Sequence, residues 1–196
     1  MQRSDIFPLV VSLALATGLM GWVVWSQRPV APVPATVAEA PSLPPASAPP
    51  PAPDAPPLDA ARVEELRSAA DAAPGDPQVR VELGTLYFDS QRFEEAIPWF
   101  ESALVLEPTL LDVSTDLGVA YFYVDETDRA LDQFAQSLEI DPTHAQTILN
   151  IGIVRAFGAQ DLEGAFAAWE EVQRVAPGSP EALAAADAIA RLRAVH

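Results

Sequence analysis

Cysteine is absent from these 196 residues, and so is lysine. Without cysteine there is no disulfide framework, no thiol nucleophile and no thiolate metal site. All eleven basic residues are arginine, set against 28 acidic ones, for a net charge of −17. Such a chain lacks the basic face that neutralises phosphates, so nucleic-acid binding is not expected. The acidity by itself names no partner, because an acidic surface serves solubility. Histidine is nearly absent as well: His144 and His196 are the only two. No Ser/His/Asp set can be assembled, there is no glycine-rich phosphate loop, and no metal-ligand spacing occurs. The one dense acidic run, DETD at 125–128, lacks the alternating ligand order and the glycine of a calcium loop. It reads as a solvated turn, and both histidines read as solvated surface groups. A non-enzyme with no cofactor and no metal is expected.

What is present divides by composition into three parts. Residues 6–25, IFPLVVSLALATGLMGWVVW, carry no charge. Twenty such residues at ~1.5 Å rise give a helix of about 30 Å, the thickness of a bilayer core. Trp22 and Trp25 fall near its end, where amphipathic rings favour the headgroup level, and Pro8 falls in the first turn. The rival reading is a cleaved signal peptide. That would need a shorter apolar region and a small-x-small cleavage site, whereas this run ends in WVVWSQRP. An uncleaved signal anchor after a tail at 1–5 is the expectation. The amino terminus and Arg3 favour the cytoplasmic side, which would place the rest of the chain outside an inner membrane.

The second part, 26–57, reads as an unstructured spacer. Residues 29–57 hold 12 of the 20 prolines. Such a segment samples polyproline II and, fully extended, reaches roughly 90 Å. Its Ala-Pro stretches lack the flanking basic or aromatic residues that would mark a ligand for a proline-reading domain.

The third part repeats. Leu83, Gly84, Tyr87, Ala96, Phe100 and Pro108 return 34 residues later as Leu117, Gly118, Tyr121, Ala130, Phe134 and Pro142. A third pass gives Ile151 and Gly152, gains one residue in FGAQD, and continues as Ala165, Trp169 and Pro177. Periods of this length signal stacked helix pairs. The apolar spacing within each unit is helical, without strand alternation. Glycine costs a helix ~1 kcal/mol against alanine, so its return at one position demands close helix approach there. The alanines are the expected small partners on the second helix, the Phe/Phe/Trp set is expected to fill the gap to the next repeat, and the prolines end each second helix. Asp59, Asp76 and Asp161 are expected N-caps, and THAQ at 143–146 reads as a capping box. Pro98, about one turn into a second helix, is the misfit. A half-repeat helix at 58–73, with Val63, Leu66, Ala70 and Ala73 on one face, precedes the units 77–110, 111–144 and 145–179. A capping helix at 180–196, with Leu183, Ala186 and Ile189 facing inward, follows them.

This pattern resembles the tetratricopeptide repeat family, whose 34-residue unit is a helix–turn–helix with Leu-Gly-x-x-Tyr in the first helix and Ala-x-x-x-Phe, then Pro, around the second. In the third unit Arg155 stands in place of the tyrosine. The resemblance implies an all-α solenoid of three repeats with flanking helices, whose first helices line a concave groove. Mapped onto this chain, the groove-facing set is Val81, Thr85, Phe88 and Asp89, then Thr115, Val119, Phe122 and Tyr123, then Leu149, Ile153 and Phe157. Relatives that grip a partner's terminal carboxylate place Lys, Arg and Asn at such positions; none is in the set, and Asn150 is one step off it. Two readings of the apolar set stay open: contacts for a protein or peptide with hydrophobic anchors, or packing between neighbouring first helices. The expected function is a membrane-anchored scaffold for assembly of an envelope complex. The alternatives are a subunit of cytochrome c maturation or of secretion or pilus machinery, and a holdase-like chaperone for exported clients.

Overall fold

The computed structural model describes residues 57–195. The expected span at 6–25, its preceding tail, the spacer up to residue 56, and His196 lie outside the described residues. Among the described residues no helix is long and apolar enough to cross a membrane.

Eight helices are present among the described residues: α1 (Ala60–Ala72), α2 (Pro77–Asp89), α3 (Phe93–Leu106), α4 (Leu111–Tyr123), α5 (Thr127–Ile140), α6 (Ala145–Phe157), α7 (Leu162–Val175) and α8 (Pro180–Val195). The fold is an all-α solenoid. Each repeat is one tightly packed pair, α2 with α3, α4 with α5 and α6 with α7, and consecutive pairs stack. First helices also meet directly, α4 with α6 and α6 with α8. That contact makes one face of the domain a surface of first helices.

Local sequence sets the boundaries. Asp59 Oδ1 accepts from the Arg62 amide at 3.0 Å, Asp76 Oδ1 from the Gln78 amide at 2.9 Å and Asp161 Oδ1 from the Gly164 amide at 2.9 Å, so each satisfies an orphan donor of its helix. Each second helix stops the same way: Glu107, Asp141 and Ala176 donate back to Ala103, Ser137 and Val172, and the following residue is Pro108, Pro142 or Pro177. The turns inside the repeats need a left-handed residue. Gln91, Asp125 and Gln160 supply it at φ 55°, 62° and 56°. The extra residue of the third unit falls in this turn, between Phe157 and Leu162.

The recurring glycine has a specific partner. A Cβ on Gly84 would lie 2.5 Å from the Phe100 ring, and one on Gly118 would lie 2.5 Å from the Phe134 ring. At Gly152 it would strike the Trp169 indole. Phe100, Phe134 and Trp169, all fully buried, therefore lie on the glycine of their own repeat. The expectation that these rings fill the gap to the next repeat did not include this contact within the repeat. Leu83, Leu117, Tyr87, Tyr121, Ala96, Ala130 and Ala165 are buried around them, and Ile151 is half-buried.

Two other local expectations are corrected. THAQ does not cap α6: its N-cap is His144, without a side-chain cap bond, and Thr143 instead donates its amide and hydroxyl to Asp141 Oδ1, both at 2.8 Å. The inward face of α8 is Ala182, Ala185 and Ile189, while Leu183 is 66% exposed and Ala186 exposed. Small residues let α8 approach α6 and α7, which moves the buried stripe by one residue at its start. Pro98 sits exposed within α3, where its missing N–H faces away from the core, and the helix continues through it.

The buried interior is not apolar throughout. One hydrophobic cluster spans α1 to α5, with Val154; a second spans α6 to α8. Buried hydroxyls accompany them. Gln133 Nε2 donates to Ser114 Oγ at 2.7 Å, Ser137 Oγ donates to the Gln133 carbonyl at 3.1 Å, and the two serine oxygens are 2.8 Å apart. The Thr115 and Thr147 hydroxyls are 2.7 Å apart across the α4–α6 contact. No buried side-chain polar atom lacks a partner among the described residues, so this set is closed.

Candidate functional site: the first-helix face

The eleven residues mapped to the groove fall into different environments. Thr115 is corrected outright: at 1% exposure it is sealed inside, bonded to Thr147 and to the Leu111 carbonyl. Its hydroxyl finds a partner on α6, and that turns it away from solvent. Val81, Thr85, Phe88, Val119, Phe122, Leu149, Ile153 and Phe157 are half-buried, while Asp89 and Tyr123 are exposed.

The rings form a connected path. Phe88 meets Phe93 edge-on at 5.3 Å between centroids and lies 6.0 Å from buried Phe100. Phe93 stacks on Tyr123 at 4.4 Å with an interplanar angle of 7°, and Tyr123 lies 5.8 Å from Phe122. Phe93, at the start of a second helix, was not among the mapped residues, although it bridges two of them.

Two clefts open on this face. The first, between α1 and α2, is lined by Leu66, Val81, Thr85, Leu86 and Asp89, with Arg62 and Glu82 at its edge. The second encloses about 160 Å³ and is lined by Val119, Phe122, Tyr123, Asn150, Ile153 and the inner residues Phe134 and Val154. That volume is below the range of small-molecule sites and suits a single apolar side chain. The structure thus brings Val119, Phe122, Tyr123 and Ile153 together in one cleft. It places Phe88 with the core of the first repeat, and Leu149 and Phe157 against the cluster of α6 to α8. Asn150, one step off the mapped set, lines the cleft.

Electrostatics add what the pattern did not. Asp116, on α4 one turn before Val119, is half-buried. Burial first, then the neighbouring carboxylates of Asp112 and Asp89, push its carboxyl up to about 6. His144 is also placed differently from the sequence reading. It is half-buried, with Nδ1 2.7 Å from Thr147 Oγ1 and Nε2 3.8 Å from Asp112 Oδ1. Elsewhere on α4, Tyr121 Oη donates to Glu101 Oε1 at 2.6 Å, and Arg129 Nη2 donates to both, at 2.7 Å and 2.8 Å. Burial and the Glu101 carboxylate hold the Tyr121 hydroxyl well above the usual phenol range. Among the described residues no group of three or more His, Cys, Asp or Glu is placed to hold a metal ion.

Stacked helix–turn–helix pairs with an open first-helix face define a class: an α-solenoid repeat domain. Residues 77–110 match the family model for the tetratricopeptide repeat. Solved structures share the fold. The crystal structure of MamA aligns at a TM-score of 0.57 and 21% identity, over 65% of this chain and 77% of that one. YrrB, a tetratricopeptide protein with an unusual peptide-binding site, aligns at 0.58 and 24%, over 64% of each chain. The second tetratricopeptide domain of human RPAP3, solved with the HSP70 peptide SGPTIEEVD, aligns at 0.52 and 19%, over 58% of this chain and 98% of that one. No curated protein matches the sequence.

Proposed function

We propose that this domain is a protein-interaction module that holds a partner segment on its first-helix face. The observation that carries the reading is the cleft at Val119, Phe122, Tyr123 and Ile153, where apolar side chains stay accessible beside Asn150. Tetratricopeptide proteins mediate protein–protein interactions, and two of the solved relatives are peptide binders. An apolar cleft with a neighbouring amide suits an extended segment: the anchor side chain enters the cleft and the amide pairs with its main chain. The RPAP3 ligand SGPTIEEVD is acidic. Here Asp89, Asp112 and Asp116 lie along the face, and they would repel such a peptide.

The same proposal places the module at a membrane. Residues 6–25 anchor the chain, the proline-rich segment spaces the domain from the bilayer, and the domain lies on the extracytoplasmic side as a scaffold for assembly of an envelope complex.

Site-specific photocrosslinking in intact membranes tests this. A crosslinker at Tyr123 or Ile153 is expected to capture one identified partner in constant stoichiometry, and a crosslinker at Asp132, exposed on α5, to capture none. Capture of many unfolded clients would make the protein a holdase. Capture only from Asp132 would move the site off this face. A protein that washes out of membranes in carbonate would overturn the anchor.

A further inference from the structure

The position of Asp116 recurs along the face. Thirty-four residues earlier, on α2, it is Glu82; thirty-four later, on α6, it is Asn150. Repeat 1 fills its copy from within: Arg62 of α1 donates to Glu82 Oε2 at 2.7 Å. Repeat 2 leaves its copy open. Among the described residues no hydrogen bond or ion pair reaches Asp116. The described residues have no cation to spare for it. The chain contains no lysine, and all nine described arginines are engaged elsewhere: Arg62, Arg67, Arg92, Arg129, Arg174, Arg191 and Arg193 with acidic side chains, Arg80 with Ser102 and Arg155 with the Gly164 carbonyl. Among the described residues the one cationic group against the neighbouring Asp112 is His144, when protonated.

A carboxylate drawn out of water beside two others, with no cation, is the costly state of such a group. One turn along α4 the surface becomes apolar at Val119, Phe122 and Tyr123, and Asn150 offers a side-chain amide with no described partner. The geometry points to a partner segment that pairs a lysine or arginine, seated on Asp116, with a bulky apolar side chain in the cleft. This rests on the proposed groove and names the chemistry that fills it. Asp116 and Phe122 are six residues apart on α4, about 9 Å along the helix axis, so an extended partner spans them with the two side chains roughly two to four residues apart.

The test uses the full chain in mild detergent. The probes are fluorescein-labelled twelve-residue peptides, each with two phenylalanines and one lysine at spacings of two, three and four, and the same peptides with norleucine or glutamate for lysine. At one spacing or more, the lysine peptide is expected to bind at least tenfold tighter than the glutamate peptide. Asp116→Asn is expected to erase the difference between lysine and norleucine, and Phe122→Ala to weaken both. Lysine and glutamate peptides that bind equally, with Phe122→Ala still weakening them, would overturn the charge pairing and leave the groove reading standing. No binding by any peptide, or binding indifferent to Phe122→Ala, would overturn both.

Discussion

Repeats 2 and 3 share one skeleton and differ at nearly every position off it. Gly118 under Phe134 and Gly152 under Trp169 are the same device. Around it, repeat 2 joins its helices with Ser114, Gln133 and Ser137, where repeat 3 has Ile148, Ala168 and Val172. On the first-helix face, repeat 2 carries Asp116 where repeat 3 carries Asn150. The comparison separates two kinds of position. Skeleton residues fix how a helix pair closes and are interchangeable between repeats. The others decide what each pair coheres by and what it presents to a partner.

The largest expected effect comes from the skeleton. Trp169→Ala removes a fully buried indole and its Nε1 hydrogen bond to the Leu149 carbonyl, at a cost of about 3 to 5 kcal/mol. Because α6 to α8 share a separate apolar cluster, hydrogen exchange is expected to rise most in those helices, with α2 to α5 better protected. Equal loss across all helices would make the domain one cooperative unit and erase the division.

Asp116→Asn gives repeat 2 the residue of repeat 3. The folded carboxyl titrates at about 6 against a reference of 3.8, so the folded state binds its proton more tightly than the unfolded state does. The corresponding stability is full below about pH 4 and is lost as pH rises through about 6. The variant is therefore expected to exceed the parent by about 1 to 3 kcal/mol at pH 7.5, with the gain vanishing near pH 4. Urea unfolding at both pH values checks this, and a gain independent of pH would remove the buried charge from the account.

Ser137→Ala probes the polar seam. It leaves the Ser114 hydroxyl without its acceptor in a buried site, at a cost of about 1 to 3 kcal/mol. Replacing the set together, as Ser114→Ile, Gln133→Ala and Ser137→Val, copies repeat 3 and is expected to be nearly neutral, because no polar group is then stranded. A triple variant worse than the single would show that the seam's shape, and not its hydrogen bonds, is what differs between the repeats.

The smallest effect concerns a turn. Gln160 holds φ 56° in the lengthened turn of repeat 3, and Gln160→Gly relieves that conformation for a gain of about 1 kcal/mol. A lower melting temperature in the variant would contradict it.

The skeleton was legible because an interval of 34 residues repeats chemistry as well as spacing: glycine, alanine, aromatic ring, proline. The ring's destination was not, since a side chain on a second helix can pack on its own repeat or the next at the same sequence period. The remaining misses are matters of helix rotation. One residue turns a helix by about 100°, which separates groove-lining Asn150 from half-buried Leu149, and Asp116 from sealed Thr115. His144 failed for a related reason. Thr147 lies one turn along α6 from it, but Asp112 is brought to it by the α4–α6 packing, and no local pattern announces a contact 32 residues away.

The central claim is that Phe122 serves recognition while Phe134, one helix further on, serves the fold. Alanine variants of each, compared for melting temperature and for binding to the captured partner, test it directly. Phe122→Ala is expected to weaken binding about 30-fold with melting lowered by only a few degrees, and Phe134→Ala to lower melting by about 10 °C or more. A comparable loss of melting temperature in Phe122→Ala, or unchanged binding, would contradict the account.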